Sequence, residues 1–197
     1  MTATPALILA STSTYRRALL ARLGLPFAVQ SPEVDETPLS NESPADRALR
    51  LAAAKTRAVA SRNPDAIVIG SDQVASLGSG TAARILRKPG TAEVCKTHLQ
   101  ALSGQTARFD TAVCVAWPGG WAEHTDITRV VFRPLTPGDI SRYIEREPAF
   151  DCAGGFKCEG LGVSLMQRIE SQDPTALIGL PLIWLAGALR AASLSLP

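Results

Sequence analysis

The chain has 197 residues, of which 46% are hydrophobic and 19% charged, and its formal net charge is +2. Such a chain can bury a core without staples, as one domain spanning 1–197 or as two small lobes around a cleft. The balance is too close to neutral for non-specific nucleic-acid binding, and no run of like charges makes a basic arm or an acidic tail.

The chain opens with a short apolar run, Ala6 to Ala10, that reads as a buried strand. Ser11-Thr12-Ser13-Thr14 follows, and then a helix with Tyr15, Leu19 and Leu23 on one face, stopped by Gly24 and Pro26. A strand, a polar turn and a helix N-terminus make an anion site, because free N–H groups and the positive end of the helix dipole point out of it. Ser11 and Ser13 add hydroxyl donors, and Arg16 or Arg17 adds a bidentate grip on phosphate. A helix cap at Ser13 with solvated arginines explains the same residues equally well.

Pro26 to Gln30 reads as a second strand, followed by a polar loop from Ser31 to Pro38. Ser43-Pro44-Ala45-Asp46 starts a helix that runs to about Ser61. Lys55 falls on its apolar stripe, with Ala48, Leu51, Ala52 and Val59. Its ammonium is expected to snorkel out to water, or else to meet an anion in a cleft. Ala66 to Gly70 reads as a central strand with Ser71-Asp72-Gln73 at its carboxyl end, where ligands bind in open α/β sheets. Val74 to Leu77 continues extended, and Gly78-Ser79-Gly80 reads as a tight turn.

A helix is expected over about Ala92–Leu102, then two long strands, Gln105–Trp117 and Trp121–Phe132, around a Pro118-Gly119-Gly120 hairpin. Another helix starts at Thr136 and runs through Glu145. Ala153 to Lys157 is glycine-rich and loop-like. The apolar stretch Ala176–Leu189 contains Gly179 and Pro181 and ends at Arg190. It reads as a buried or interface helix that starts near Leu180-Pro181, with room for a homodimer, and not as a membrane span. The first residues lack the charged and apolar regions of a secretory signal, so a cytoplasmic protein is expected. The order of elements gives an α/β fold: a mixed, curved central sheet flanked by helices, with a cleft at the carboxyl ends of strands.

The four cysteines form no C-x-x-C pair, and Cys95 with His98 makes at most half a metal site. With two histidines in the chain, a bound metal is expected to sit on oxygen, which favours Mg²⁺ or Mn²⁺. Ser11, Ser13, Arg16, Arg17, Glu33, Asp35, Glu36, Lys55, Asp72, Lys88, Glu159 and Asp173 form a set suited to a metal–polyphosphate substrate. Cations neutralise phosphate oxygens, carboxylates hold the metal, and one carboxylate can deprotonate a water.

The chain resembles the Maf family of nucleoside triphosphate pyrophosphatases. The resemblance rests on Leu7-Ile8-Leu9-Ala10-Ser11-Thr12-Ser13 with Arg16-Arg17, Val34-Asp35-Glu36, Ala54-Lys55, Ile69-Gly70-Ser71-Asp72-Gln73, Lys88-Pro89, Leu102-Ser103-Gly104 and Gly179-Leu180-Pro181. Pro32 to Pro38, Gly70 to Val74 and Cys158-Glu159-Gly160-Leu161-Gly162 are similar to the YceF-like branch, which is associated with 7-methyl-GTP. The resemblance implies a Maf/ITPase-like fold and metal-dependent hydrolysis of a nucleotide substrate between the α- and β-phosphates. It implies Asp72 as the catalytic proton acceptor and Arg16, Gln73 and Glu159 as specificity residues. It places Ser11, Ser13, Glu36, Lys55 and Lys88 in the phosphate and metal cleft, with Asp72 and Glu36 on the metal. The chain departs from the family at Thr14-Tyr15, where Ser-Pro is usual before the arginines, and at Arg87, where glycine is usual. A broader pyrophosphatase acting on dTTP or UTP, and a nucleotide-binding cell-division regulator with weak catalysis, are the alternative expectations.

Overall fold

The computed structural model describes residues 5–78 and 80–197. The turn expected at Gly78-Ser79-Gly80 has its central residue outside them.

Strands β1 (Leu7–Ala10), β2 (Ala28–Gln30), β3 (Ile67–Leu77), β4 (Arg84–Leu86), β5 (Thr106–Trp117), β6 (Gly120–Phe132) and β7 (Met166–Glu170) join one sheet. Its order is β2-β1-β3-β5-β6-β7, with β4 pairing β3 off this path. β1 runs parallel to both β2 and β3, and every other pairing is antiparallel. The helices are α1 (Thr14–Ala21), α2 (Pro44–Ala60), α3 (Ala92–Leu102), α4 (Pro137–Arg146) and α5 (Leu182–Ala191). Among the described residues no helix is long and apolar enough to cross a membrane.

Each long element forms for a reason visible in its ends. Ser43, Thr91 and Thr136 accept hydrogen bonds from Asp46 N, Val94 N and Asp139 N, capping α2, α3 and α4. Gly119, at positive φ, lets the β5–β6 hairpin turn tightly. α1 and α5 pack on one end of the sheet, over Leu9, Ile67, Ile69, Val113 and Val115. α3 and α4 enclose a second core around Phe109, Phe132 and Phe156, whose rings meet edge to face.

Three places bear comparison with the sequence reading. The strand expected to end at Ser71-Asp72-Gln73 and the extended run Val74 to Leu77 are one strand, β3, which β5 pairs through Leu77↔Ala107; Asp72 therefore lies in mid-strand. The apolar stretch 176–189 divides where the sequence places the start of the last helix: Ala176–Ile178 is a 3₁₀ turn, Gly179 has φ +125°, and α5 begins at Leu182, directly after Leu180-Pro181. β7 had no expectation, since an exposed edge strand of mixed polar residues carries no clean alternation.

One close approach matters for the site. A Cβ on Gly70 would lie 2.3 Å from Thr56 Oγ1, 2.7 Å from Thr56 N and 2.8 Å from Ala52 O. The missing side chain lets the backbone of α2 lie directly against β3.

A cleft where one strand outruns its neighbour

β1 pairs with β3 only through Leu7↔Ile67 to Ala10↔Gly70. β4 takes up the same edge of β3 only from Ala75. Between them, residues 71–74 of β3 have β5 on one side and no strand on the other. A cleft of about 480 Å³ opens at this gap. It lies at the carboxyl end of β1, while β3 passes through its wall.

Alternation along β3 sends neighbouring side chains to opposite faces. Asp72 points to the α2 face, where its Oδ1 accepts from Lys55 Nζ at 2.6 Å. The same ammonium lies 2.7 Å from Glu36 Oε1. Lys55 and Asp72 are buried and Glu36 is exposed at the rim. Of the two readings of Lys55, the ammonium meets anions in a cleft and does not snorkel out, because its stripe faces two carboxylates. Burial alone would raise the Glu36 carboxyl, but its hydrogen bond to Lys55, with the charges of Lys55, Arg16 and Lys88, holds it below the usual range.

Gln73 points the other way. Its Nε2 lies 3.0 Å from each of Thr111 Oγ1, Ala176 O and Leu177 O. Two of these are carbonyls, which accept only, so the amide orientation is fixed by its partners. The side-chain carbonyl is left for the cleft. Ser71 Oγ is 2.7 Å from Ala112 O and 2.9 Å from Gly179 O. Arg16 Nε donates to the same Gly179 carbonyl at 2.9 Å. Burial lowers the Arg16 pKa, opposed by the charges of Asp72 and Glu36, and the guanidinium remains a cation.

Ser11, Ser13, Arg16, Glu36, Lys55, Asp72, Gln73, Lys88 and Glu159 all line this cleft. Ser13 also caps α1, accepting from Arg16 N at 3.4 Å, so both readings of that serine describe it. Ser11 Oγ accepts from Ser13 N, which leaves its proton free to donate elsewhere. Four residues of the sequence set lie outside the lining: Arg17 and Glu33 are exposed, Asp35 closes a turn on Thr37, and Asp173 caps α5 through Ile183 N at 2.7 Å.

Several lining residues were given no site role by the sequence. Tyr15 Oη donates to Asp151 Oδ2 at 3.0 Å, tying α1 to the 151–159 loop across the cleft mouth. Arg47 also lines the cleft, on the α2 face of Leu51 and Lys55; its i, i+4, i+8 spacing is the signal that could have found it. The Glu159 loop is braced from α4. Tyr143 Oη accepts from Lys157 N at 3.1 Å and lies 3.4 Å from Glu147 Oε2, which accepts from Gly162 N at 3.2 Å.

Cys152 and Cys158 line the cleft, and burial pushes their thiols up to about 11 and about 12. Neither is a thiolate at neutral pH, which argues against a cysteine nucleophile. The chemistry therefore falls to the carboxylates. Among the described residues no three His, Cys, Asp or Glu side chains cluster to cage a metal. Asp72 and Glu36, which meet at one ammonium, fit a hard cation that takes one or two carboxylates and completes its shell with phosphate and water.

The sequence profile described as Maf-like protein matches residues 6–192. The chain belongs to the Maf family. This Maf chain is 56% identical over 193 residues to a Xanthomonas oryzae pv. oryzae (strain MAFF 311018) protein named 7-methyl-GTP pyrophosphatase, covering 98% of this chain and 100% of that one. A Xanthomonas axonopodis pv. citri (strain 306) protein of the same name is 55% identical over 193 residues, at 98% and 100% coverage. A HAM1 protein from Coxiella burnetii superposes with a TM-score of 0.55 at 17% identity, over 96% of this Maf chain and all of the other, a likeness of fold alone.

Proposed function

We propose that the chain is a nucleoside triphosphate pyrophosphatase that hydrolyses 7-methyl-GTP between the α- and β-phosphates, releasing 7-methyl-GMP and pyrophosphate. The observation that carries the reaction is the Asp72–Lys55–Glu36 arrangement at the open edge of β3. Full-length similarity to proteins named for that substrate supports the choice of nucleotide.

In this reading Asp72 accepts the proton of the water that attacks the α-phosphorus. Lys55 holds one carboxylate oxygen, so the carboxylate keeps a fixed direction and its other oxygen serves the water. The Ser11 hydroxyl and Lys88 meet phosphate oxygens, and positive charge there steadies the pyrophosphate as it leaves. A divalent cation, Mg²⁺ or Mn²⁺, held by Asp72 and Glu36 would supply further neutralisation of the phosphates.

The base lies towards Gln73, Arg16 and Glu159. The Gln73 carbonyl accepts from the N–H groups of a guanine edge, because its amino group is already spent on Thr111, Ala176 and Leu177. A 7-methylated guanine ring is cationic, and the exposed Glu159 carboxylate attracts it.

The test is pyrophosphate release from 7-methyl-GTP, GTP, UTP and dTTP with Mg²⁺ or Mn²⁺, for wild type and Asp72→Asn. Preference for 7-methyl-GTP, lost in the variant, is expected. Preference for UTP and dTTP overturns the base assignment, and equal turnover by the variant overturns the role of Asp72.

A further inference from the structure

Arg47 has no part in the site as described so far, yet it lines the cleft on the same helix face as Lys55. Its Nη2 donates to the Glu36 carbonyl at 3.2 Å. Its Nε is buried and has no hydrogen-bond partner among the described residues. The neighbouring Arg50 is spent differently: it forms an ion pair with Glu42 and donates to Thr37 O. No carboxylate forms an ion pair with Arg47 among the described residues. With Nε covered, Nη1, which makes no hydrogen bond among the described residues, and the second hydrogen of Nη2 are left for an anion in the cleft.

The direction of α2 says which part of the substrate this is. Thr56 and Ala52 lie against Gly70, while Ala48 packs with Val74 and Ile85, so α2 runs opposite to β3. Arg47 therefore stands near the far end of the gap, where β4 leads into Arg87 and Lys88. Arg16 is fixed instead on the Gly179 carbonyl, in the segment whose Ala176 and Leu177 carbonyls hold Gln73.

We propose that Arg47 binds the leaving-group end of the triphosphate. Its fork donates to β- or γ-phosphate oxygens while Nη2 keeps the Glu36 segment in place. The proposal rests on the pyrophosphatase reading and adds a binding residue to it. The same contact explains how one residue ties phosphate occupancy to the position of Glu36, through main chain and not through its carboxylate.

The experiment measures binding of inorganic pyrophosphate and of 7-methyl-GMP, each by calorimetry in the presence of Mg²⁺, to wild type, Arg47→Met and Arg47→Lys. Turnover of 7-methyl-GTP is followed beside it. Arg47→Met is expected to weaken pyrophosphate binding by about tenfold or more while 7-methyl-GMP binding holds. Arg47→Lys, which keeps charge but not the fork, should fall between the two. Unchanged pyrophosphate affinity, or an equal loss for both ligands, overturns the proposal. If Arg47→Met does not fold, wild-type pyrophosphate affinity in Arg47→Lys overturns it as well. Failure of the wild type to release pyrophosphate from 7-methyl-GTP instead sinks the underlying reading, whatever the variants bind.

Discussion

Lys55 Nζ and Asp72 Oδ1 lie 2.6 Å apart, both on side chains that are almost wholly buried. The two partners are not equivalent. Lys55 also holds Glu36, so removing the Asp72 charge leaves the ammonium paired. Removing Lys55 leaves a buried carboxylate with no cation in contact. Lys55→Met is expected to destabilise the fold by about 3 kcal/mol, and Asp72→Asn by much less. Chemical denaturation separates them. Comparable losses from the two variants would show that the pair is not organised around the lysine.

Gly70 sets the distance between α2 and β3. A methyl there meets main-chain atoms of Thr56 and Ala52 that cannot turn aside. Gly70→Ala is expected to cost about 3 kcal/mol and to reduce kcat, since any shift of α2 carries Lys55 away from Asp72. Melting temperature and turnover read the two effects.

The orientation of Gln73 has a chemical consequence. Glu at this position would bring a carboxylate against the Ala176 and Leu177 carbonyls, replacing a donor by an acceptor. Gln73→Glu is expected to lose about 2 kcal/mol of stability at neutral pH and to weaken binding of 7-methyl-GTP. The stability loss should diminish in acid, where the new carboxyl regains a proton to donate.

Tyr143 is buried and never reaches the cleft lining, yet its hydroxyl joins Lys157 N to Glu147. Tyr143→Phe frees the loop that carries Glu159. The ratio of kcat/KM for 7-methyl-GTP over GTP is expected to fall, while GTP turnover itself stays near wild type. A fall shared equally by both nucleotides would point to general loosening.

Asp126 is buried, and burial together with the nearby Asp173 carboxylate raises its pKa above 3.8. The folded state then holds this proton more tightly than the unfolded one. Stability from this group is present in acid and is lost as the pH rises from 3.8 through the raised value. Asp126→Asn is expected to be more stable than wild type at pH 7, with the advantage vanishing below pH 3.8. Denaturant midpoints across that range give the result.

The sequence displays most strands and helices because periodicity and caps are local. Ser43-Pro44 and Thr136-Pro137 announce helix starts, and Gly119 announces a hairpin. What it hides depends on partners far along the chain. Asp72 looks like the end of a strand until β5 is laid beside it. Lys55 looks like a snorkelling residue until the gap beyond Ala10 exists to receive it. The brace from Tyr143 to the Glu159 loop joins residues with no shared motif, so no pattern of spacing reveals it.

The Gly179 carbonyl receives Arg16 from 163 residues upstream and Ser71 from 108. The segment that seats Arg16 is therefore synthesised 163 residues after it. Until then Arg16 lacks its Gly179 carbonyl and the Gln73 amide has only Thr111 of its three partners, so the nascent protein has no complete pocket in which to trap cellular nucleotides. The pocket closes only once residues 176–179 exist, although Ser11, Ser13 and Arg16 on its rim are made long before them.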